Sequence, residues 1–301
     1  PLPNEYSRFG SFDKLGLNNL EQVNGLIADI AAKQHKMGSI PQKIGDVYNL
    51  SMDTTRRNQE GIAPVLPVLQ EIENVTDKAQ WSEVLGKAMD FGLWAMYVDA
   101  DAMNSSMNIL NEYQAGFALS QKDYYIDQDE HTQHIRAEYL KHVEKMFTLF
   151  GISNAAEKAQ TVLRLETRLA NAALSNVELR DPVANYNKMS IEDLQKLVPE
   201  VDWNVYFAGL NIAPDSLSVG QVRHLQEAGK MLNDEPLEDM KTLFTWQVID
   251  GSADFLTEEI FMQNFEFYGR ILSGRQEPTP LWKRAVAMVN GTLGEAVGQM
   301  Y

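Results

Sequence analysis

Apolar residues recur at three- and four-residue steps along much of the 301-residue chain, which is the spacing of one face of an α-helix. Val162, Leu165 and Leu169 follow this spacing, while Arg164 and Arg168 fall on the opposite face. Strands would instead require apolar and polar residues to alternate. The pattern therefore predicts a fold built mainly from α-helices.

Residues that begin and end helices stand beside several of these apolar stripes. Gly151 is placed to end one helix in a left-handed conformation. Ser190 is a candidate N-cap for a short helix that Pro199 would end. Pro236 and Gly251 predict the first residue and the end of another helix.

The last helix pattern begins at Pro280 and keeps its register almost to Tyr301. No capping residue, basic last turn or polar tail follows, although natural chain ends usually fray through polar residues. This ending predicts a truncated or cleaved polypeptide.

One region has β character. Residues 94–98 and 107–110 are short segments rich in aromatic and branched side chains, and the polar stretch 99–106 separates them. They predict a small β-hairpin with a long loop, so the expected fold class is mainly α with a minor β element.

Charge and composition exclude several functions. The 26 Lys and Arg residues against 42 Asp and Glu residues leave a net charge of -16, which disfavours nucleic acid and anionic lipid as partners. No apolar run is long enough for a transmembrane helix. With no cysteine, the chain has no disulfide, thiolate metal site or thiol nucleophile.

Two groups of residues could suggest a metal site. His131 and His134 would share a helix face, but a zinc site needs a third ligand, and the His-Glu-x-x-His pattern is absent. Their polar neighbours favour a solvated helix start, with a small metal sensor as the alternative. Asp99 and Asp101 resemble the opening of a calcium loop, yet Leu110 occupies the position of the bidentate glutamate.

The segment Ser7–Asp13 places Arg8 close to two phenylalanines, Phe9 and Phe12. An arginine in such a setting can bind a carboxylate while the rings line an apolar pocket. The alternative is that Arg8 pairs with an acidic neighbour for purely structural reasons.

Seven sets of motifs along nearly the whole chain resemble, in the same order, the neprilysin and endothelin-converting-enzyme family of zinc metallopeptidases, including its bacterial oligopeptidases. Each motif is weak by itself, but their order identifies the chain as a member of that family. The motifs are Ser7–Asp13, Ser120–Tyr125, Leu165–Asn171, Arg180–Pro182 with Tyr186–Met189, Phe265–Gly269, Ser273–Gln276, and Trp282–Arg284 with Gly294–Gly298.

The resemblance implies that residues 1–270 are mostly the helical capping domain, which gates substrate access, and that residues 271–301 begin the connection toward the catalytic domain. In that family the zinc ligands lie in the part that would follow Tyr301. The complete enzyme would use zinc to hydrolyse short peptides in an enclosed cavity. This chain is expected to bind no zinc, to be inactive by itself, and to have the missing catalytic domain as its partner, in the same gene product or as a second chain.

The resemblance also implies roles for single residues. Arg8 resembles the arginine that pairs with the carboxyl terminus of a substrate, and Phe12 resembles an aromatic wall of the pocket for the residue after the scissile bond. Gly16 stands where some members carry a second arginine, which favours endopeptidase or oligopeptidase action over dipeptide release.

The resemblance bears on origin and location as well. The absence of cysteines indicates a bacterial relative, because animal members use disulfides. The family's exported members imply a periplasmic or cell-envelope location after leader removal, with the cytoplasm as the alternative.

A function of a different class stays open: a stand-alone helical binding module that offers an acidic face to a basic partner. The two hypotheses differ in the gene sequence downstream of the Tyr301 codon. An in-frame His-Glu-x-x-His segment there favours the enzyme, and a stop codon favours the module.

Overall fold

The computed structural model describes residues 4–301, which form fourteen α-helices, four β-strands and a π-helix over Phe265–Ile271. The predicted fold class, mainly α with a minor β element, is confirmed. The helices are α1 Ser11–Ala31, α2 Ile40–Met52, α3 Thr54–Glu60, α4 Leu66–Glu73, α5 Trp81–Lys87, α6 Asp123–Ile126, α7 Glu130–Leu149, α8 Ala155–Ala172, α9 Ile191–Leu197, α10 Trp203–Gly209, α11 Val222–Asp234, α12 Leu237–Ser252, α13 Glu258–Asn264 and α14 Leu281–Gly298. The strands are β1 Trp94–Asp101, β2 Asn104–Gln114, β3 Asn187–Ser190 and β4 Ser216–Val219.

The chain divides into two compact units. The terminal unit joins the residues up to Gly61 with Asp254–Tyr301, and the central unit is Ile62–Ala253. This division reflects compactness, whereas the border expected at residue 270 separates functions. That functional border therefore stays a prediction.

Three helices, α1, α2 and α14, build the core of the terminal unit. Their buried residues recur at helical spacing, so each helix turns one apolar face inward. Ser39 is the N-cap of α2, and its hydroxyl accepts a hydrogen bond from the Gln42 N–H at 3.4 Å. The core residues are Ile27 and Ile30 of α1, Ile44 of α2, and Val286, Val289 and Val297 of α14.

The predicted last helix is present as α14. Pro280 is its N-cap, one position before the first helical residue, and the apolar register continues to Val297. Leu293 departs from helical geometry with a φ of -132°, so the helix is kinked near its end. The hydroxyl of Tyr301 donates to the Gln22 side chain of α1 at 2.6 Å.

In the central unit, the predicted apolar stripes of α7, α8 and α12 are buried. Gly151 follows α7 with a φ of 71°, the left-handed conformation that its position predicts. The Ser190 hydroxyl accepts a hydrogen bond from the Asp193 N–H at 3.1 Å and caps α9. These local predictions are confirmed.

The prediction that Gly251 ends a helix is wrong. Helix α12 passes through Gly251 to Ser252, and the chain then continues as a 3-10 turn over Ala253–Phe255. An interior glycine costs a helix only about 1 kcal/mol relative to alanine, so burial of the α12 stripe outweighs it. Pro236 is the N-cap and not the first helical residue.

The predicted hairpin is present, but its loop is much shorter than expected. Ala95 lies opposite Tyr113, and the pairing continues to Asp101 opposite Asn104, which leaves only residues 102–103 in the turn. The Asp101 carboxylate tightens this turn by accepting the Met103 N–H at 3.0 Å. The hairpin is half of a four-stranded sheet of order β1-β2-β4-β3, in which β2 and β4 run parallel.

Candidate substrate-binding site

The segment that leads to Arg8 is held at its beginning by a loop from the other end of the chain. The Asn4 carbonyl accepts the backbone N–H groups of Gln276 at 2.9 Å and Glu277 at 3.1 Å. The Asn4 side-chain amide donates to the Glu277 carboxylate at 3.0 Å. The first residues of the segment therefore have a defined position in the terminal unit.

Lys283 of α14 holds the next two residues. Its ammonium group donates to the Glu5 carboxylate and to the Tyr6 hydroxyl, the latter at 3.3 Å, and lies 5.2 Å from the centre of the Tyr6 ring. Burial alone would lower the pKa of Lys283, but these hydrogen bonds outweigh burial and raise it above its ordinary value. Lys283 therefore stays charged and paired.

A second anchor lies immediately after Arg8, at the start of α1. Gly10 is the N-cap of this helix, and its N–H donates to the Asp13 carboxylate at 2.7 Å. The Gly10 carbonyl accepts the Lys14 N–H at 3.0 Å as the first helical hydrogen bond. An acidic residue in the first turn also interacts favourably with the helix dipole.

Arg8 lies between these two anchors with an exposed side chain. Within residues 4–301 its guanidinium group has no ion-pair or hydrogen-bond partner, so the alternative of a structural ion pair is not observed in this part of the chain. A guanidinium offers two parallel N–H donors to a carboxylate, and here both are available to a ligand.

Phe12 lies within the first turn of α1 and is 87% exposed. The structure thus brings Arg8 and Phe12 to the same end of one helix. Gly16 is one turn further along α1, and a Cβ atom added there would meet no atom within 4 Å.

Two further motifs of the sequence analysis support the loop that holds Asn4. The π-helix packs its Gly269 against the ring of Phe265, where a Cβ atom would lie 2.2 Å from the ring. Arg270 donates to the Gln276 carbonyl at 3.1 Å, and Arg275 stacks on the Phe265 ring at 5.4 Å. These residues therefore shape the loop.

The candidate metal ligands of the sequence do not come together. His131 and His134 are exposed on α7, and Asp101 is engaged by the hairpin turn. Across residues 4–301, no three His, Asp or Glu side chains are grouped so that they could hold a metal ion. The residues described do not fit a zinc site, and no chemical step through zinc is assigned to them.

Comparison with known proteins decides the family. The sequence pattern of peptidase family M13 matches residues 1–301. The chain belongs to peptidase family M13. Endothelin-converting enzyme 1 of Bos taurus is 24% identical over 320 residues, and endothelin-converting enzyme-like 1 of Mus musculus is 23% identical over the same length. The family resemblance drawn from the motifs is confirmed.

Solved structures of two bacterial proteins have the same fold. The inhibitor complex of Mycobacterium tuberculosis zinc metalloprotease Zmp1 superposes with a TM-score of 0.95 at 30% identity, over 100% of this chain. PepO of Lactobacillus rhamnosis superposes with a TM-score of 0.83 at 20% identity, which supports the fold alone. The expectation of bacterial relatives is confirmed.

The chain spans less than half the length of these relatives. It covers 42% of the bovine enzyme, 47% of the Zmp1 chain and 48% of the PepO chain. More than half of each relative therefore has no counterpart among these 301 residues.

Sequence reasoning missed the ion pair that anchors the Arg8 segment. Lys283 belongs to the motif Trp282–Arg284, but its partner Glu5 is 278 residues away along the chain. No periodicity or spacing connects residues at that separation.

Proposed function

We propose that this M13 chain is the N-terminal part of a zinc metallopeptidase that hydrolyses short peptides inside an enclosed cavity. The chain positions the substrate and helps to exclude folded proteins. The zinc ion and the groups that activate water come from a catalytic domain, in the same gene product or as a second chain. By itself the chain is inactive and binds no stoichiometric zinc.

The observation that carries this proposal is that Arg8 and Phe12, four residues apart at the start of α1, both have exposed side chains. Arg8 binds the carboxyl terminus of a peptide through two charge-assisted hydrogen bonds. Phe12 forms an apolar wall for the side chain after the scissile bond. Because both neighbours of Arg8 along the chain lead directly into anchored residues, little backbone freedom opposes binding.

Gly16 defines the specificity of this arrangement. With no second cation one turn beyond Phe12, a single arginine binds the substrate terminus, so longer peptides compete well with short ones. The proposed activity is therefore that of an endopeptidase or oligopeptidase. The proposed location is the periplasm or cell envelope.

None of the helices in residues 4–301 combines the length and apolar character that crossing a bilayer requires.

The second candidate function is a helical binding module, and the net charge of -16 is the observation that favours it, since it attracts a basic partner. The two functions predict different effects when Arg8 is removed. A peptidase uses Arg8 for substrate carboxylates, whereas an acidic binding surface gains affinity for a basic partner when Arg8 is removed.

The test uses the peptidase form of the protein, which is this chain together with its catalytic domain. Its substrates are two fluorogenic peptides that differ only in a free or an amidated carboxyl terminus. Arg8→Gln is expected to raise KM for the free acid roughly 10- to 100-fold, as expected for losing charge-assisted hydrogen bonds of about 1.5–3 kcal/mol. The amide should be nearly unaffected. The matched control is Arg56→Gln, which removes an exposed arginine that pairs with Glu60 in the same unit. Equal effects on both peptides would contradict the proposal.

A further inference from the structure

Arg8 lies on a bridge of three residues, 7–9, whose two ends are fixed independently. On one side, Glu5 and Tyr6 are held by Lys283. On the other side, Gly10 is the N-cap of α1, and its N–H donates a hydrogen bond to the Asp13 carboxylate. A bridge this short permits few backbone conformations, so the anchors determine where the guanidinium can reach.

The bridge also has an internal contact. The rings of Tyr6 and Phe9 meet edge to face with their centres 5.1 Å apart, so the residue after Arg8 packs on the residue that Lys283 holds. Any movement of Tyr6 is therefore passed to Phe9 and to the backbone of Arg8 between them.

Lys283 is suited to be a fixed point. Lys283 is only 7% exposed and lies in the first turn of α14, whose later turns carry core residues of the terminal unit. Its ammonium also lies 5.4 Å from the centre of the Trp282 ring. Without this cation, the Glu5 carboxylate would lose its ion-pair partner in a partly buried place and would turn toward water.

We propose that Lys283 is a positioning residue that sets the place of Arg8 for the carboxyl terminus of a peptide. This inference rests on the proposed role of Arg8. Lys283 itself touches no substrate; it acts through Glu5, Tyr6 and the short bridge.

The test measures KM and kcat of the peptidase form for the same free-acid and amidated peptides. Lys283→Met is expected to raise KM for the free acid roughly tenfold and to leave kcat and the amide unchanged, because misplacing a binding group weakens only its own contact. Lys283→Arg keeps the cation and should restore most of the preference for the free acid. Lys33→Met is the matched control, since Lys33 is an exposed lysine paired with Asp29 in the same unit.

A second variant covers the case in which Lys283→Met does not fold. Glu5→Gln removes the charge from the partner while leaving Lys283 in place, and it should reduce the preference for the free acid in the same way. A double variant should add little to either single variant, because both break one interaction.

The outcomes separate this inference from the proposed function. If Arg8→Gln leaves the preference for the free acid unchanged, the proposed function fails and this inference fails with it. If Arg8→Gln removes the preference but Lys283→Met and Glu5→Gln retain it, only this inference is overturned. An equal loss for both peptides in the Lys283 variant would show a merely structural role and would also overturn it.

Discussion

Glu112 should make the central unit less stable as pH rises through neutrality. It lies near the C-terminal end of β2, is only 1% exposed, and pairs in the sheet with Met96 and Val219. One carboxyl oxygen accepts the Gln221 N–H at a long 3.4 Å, and the other has no hydrogen-bond partner within residues 4–301. Burial therefore raises the pKa of Glu112 to about 8, against the opposing effect of its backbone hydrogen bonds.

The direction of this pH dependence follows from the number of protons that the folded and the unfolded protein bind. Between the ordinary pKa of 4.5 and the folded value of about 8, the folded protein holds one proton more than the unfolded chain. The free energy of unfolding then falls by about 1.36 kcal/mol per pH unit for each such group. The stabilisation is complete below pH 4.5 and is lost as pH rises through about 8.

The effect of Glu112 on stability is best measured between pH 6.5 and about 7.5. Burial lowers the pKa of His142 to about 3 and of His224 to about 4, so below their ordinary value of 6.5 these histidines produce the opposite trend. Glu166 has a folded pKa of about 8 through burial and contributes equally to the wild type and the variant. Only the difference between the two proteins reports on Glu112.

Glu112→Gln replaces the carboxyl group with a neutral group of the same shape. From pH 6.5 to 7.5 the wild type should lose about 1.2 kcal/mol more unfolding free energy than the variant, since the carboxyl begins to ionise near the upper limit. Urea unfolding followed by tryptophan fluorescence measures this, because Trp81, Trp94, Trp203 and Trp246 all lie in the central unit. Glu157→Gln, on the exposed face of α8, is the control for loss of charge. Equal pH slopes in the wild type and the Glu112 variant would refute the reasoning.

Three further variants test predictions about stability. Hydrogen bonds from Lys188 and then Tyr186 lower the pKa of Asp101 to about 2, so the stability that its carboxylate contributes is present above pH 3.8 and is lost as pH falls through about 2. Asp101→Asn should therefore lower the urea midpoint at pH 6 and reduce the loss of stability at acid pH. An unchanged acid profile would count against this prediction. Gly86→Ala should destabilise the protein by about 2 kcal/mol, because the new Cβ would lie 2.3 Å from the Tyr206 carbonyl oxygen. Gly16→Ala, with open space around it, should instead stabilise α1 by about 1 kcal/mol. Thermal unfolding of both glycine variants measures these changes, and changes of the same sign would contradict the packing argument.

The helices were predictable because their signals are local. The stripe Val162, Leu165 and Leu169 and the caps at Gly151 and Ser190 depend on neighbours within one or two turns, and the structure has them as expected. The prediction of a long loop between the hairpin strands was wrong. Polar residues 99–106 gave no sign that Lys188 and Tyr186, far along the chain, would hold Asp101 in a tight turn.

The candidate site shows the same division. Arg8 and Phe12 could be selected from the sequence because the family motif contains them, and their exposure is consistent with ligand binding. The Lys283 anchor depends on bringing together the two ends of the chain, which no local pattern encodes. Their roles in substrate binding stay predictions until the peptides with free and amidated ends are compared.

We propose that these residues position peptides and that the zinc ion is bound by a catalytic domain outside this chain. The most direct test is to measure zinc content and the hydrolysis of a fluorogenic peptide by the purified 301-residue chain, with and without a chelator. We expect no stoichiometric zinc and no chelator-sensitive hydrolysis. One bound zinc per chain, together with hydrolysis that the chelator abolishes, would contradict this proposal.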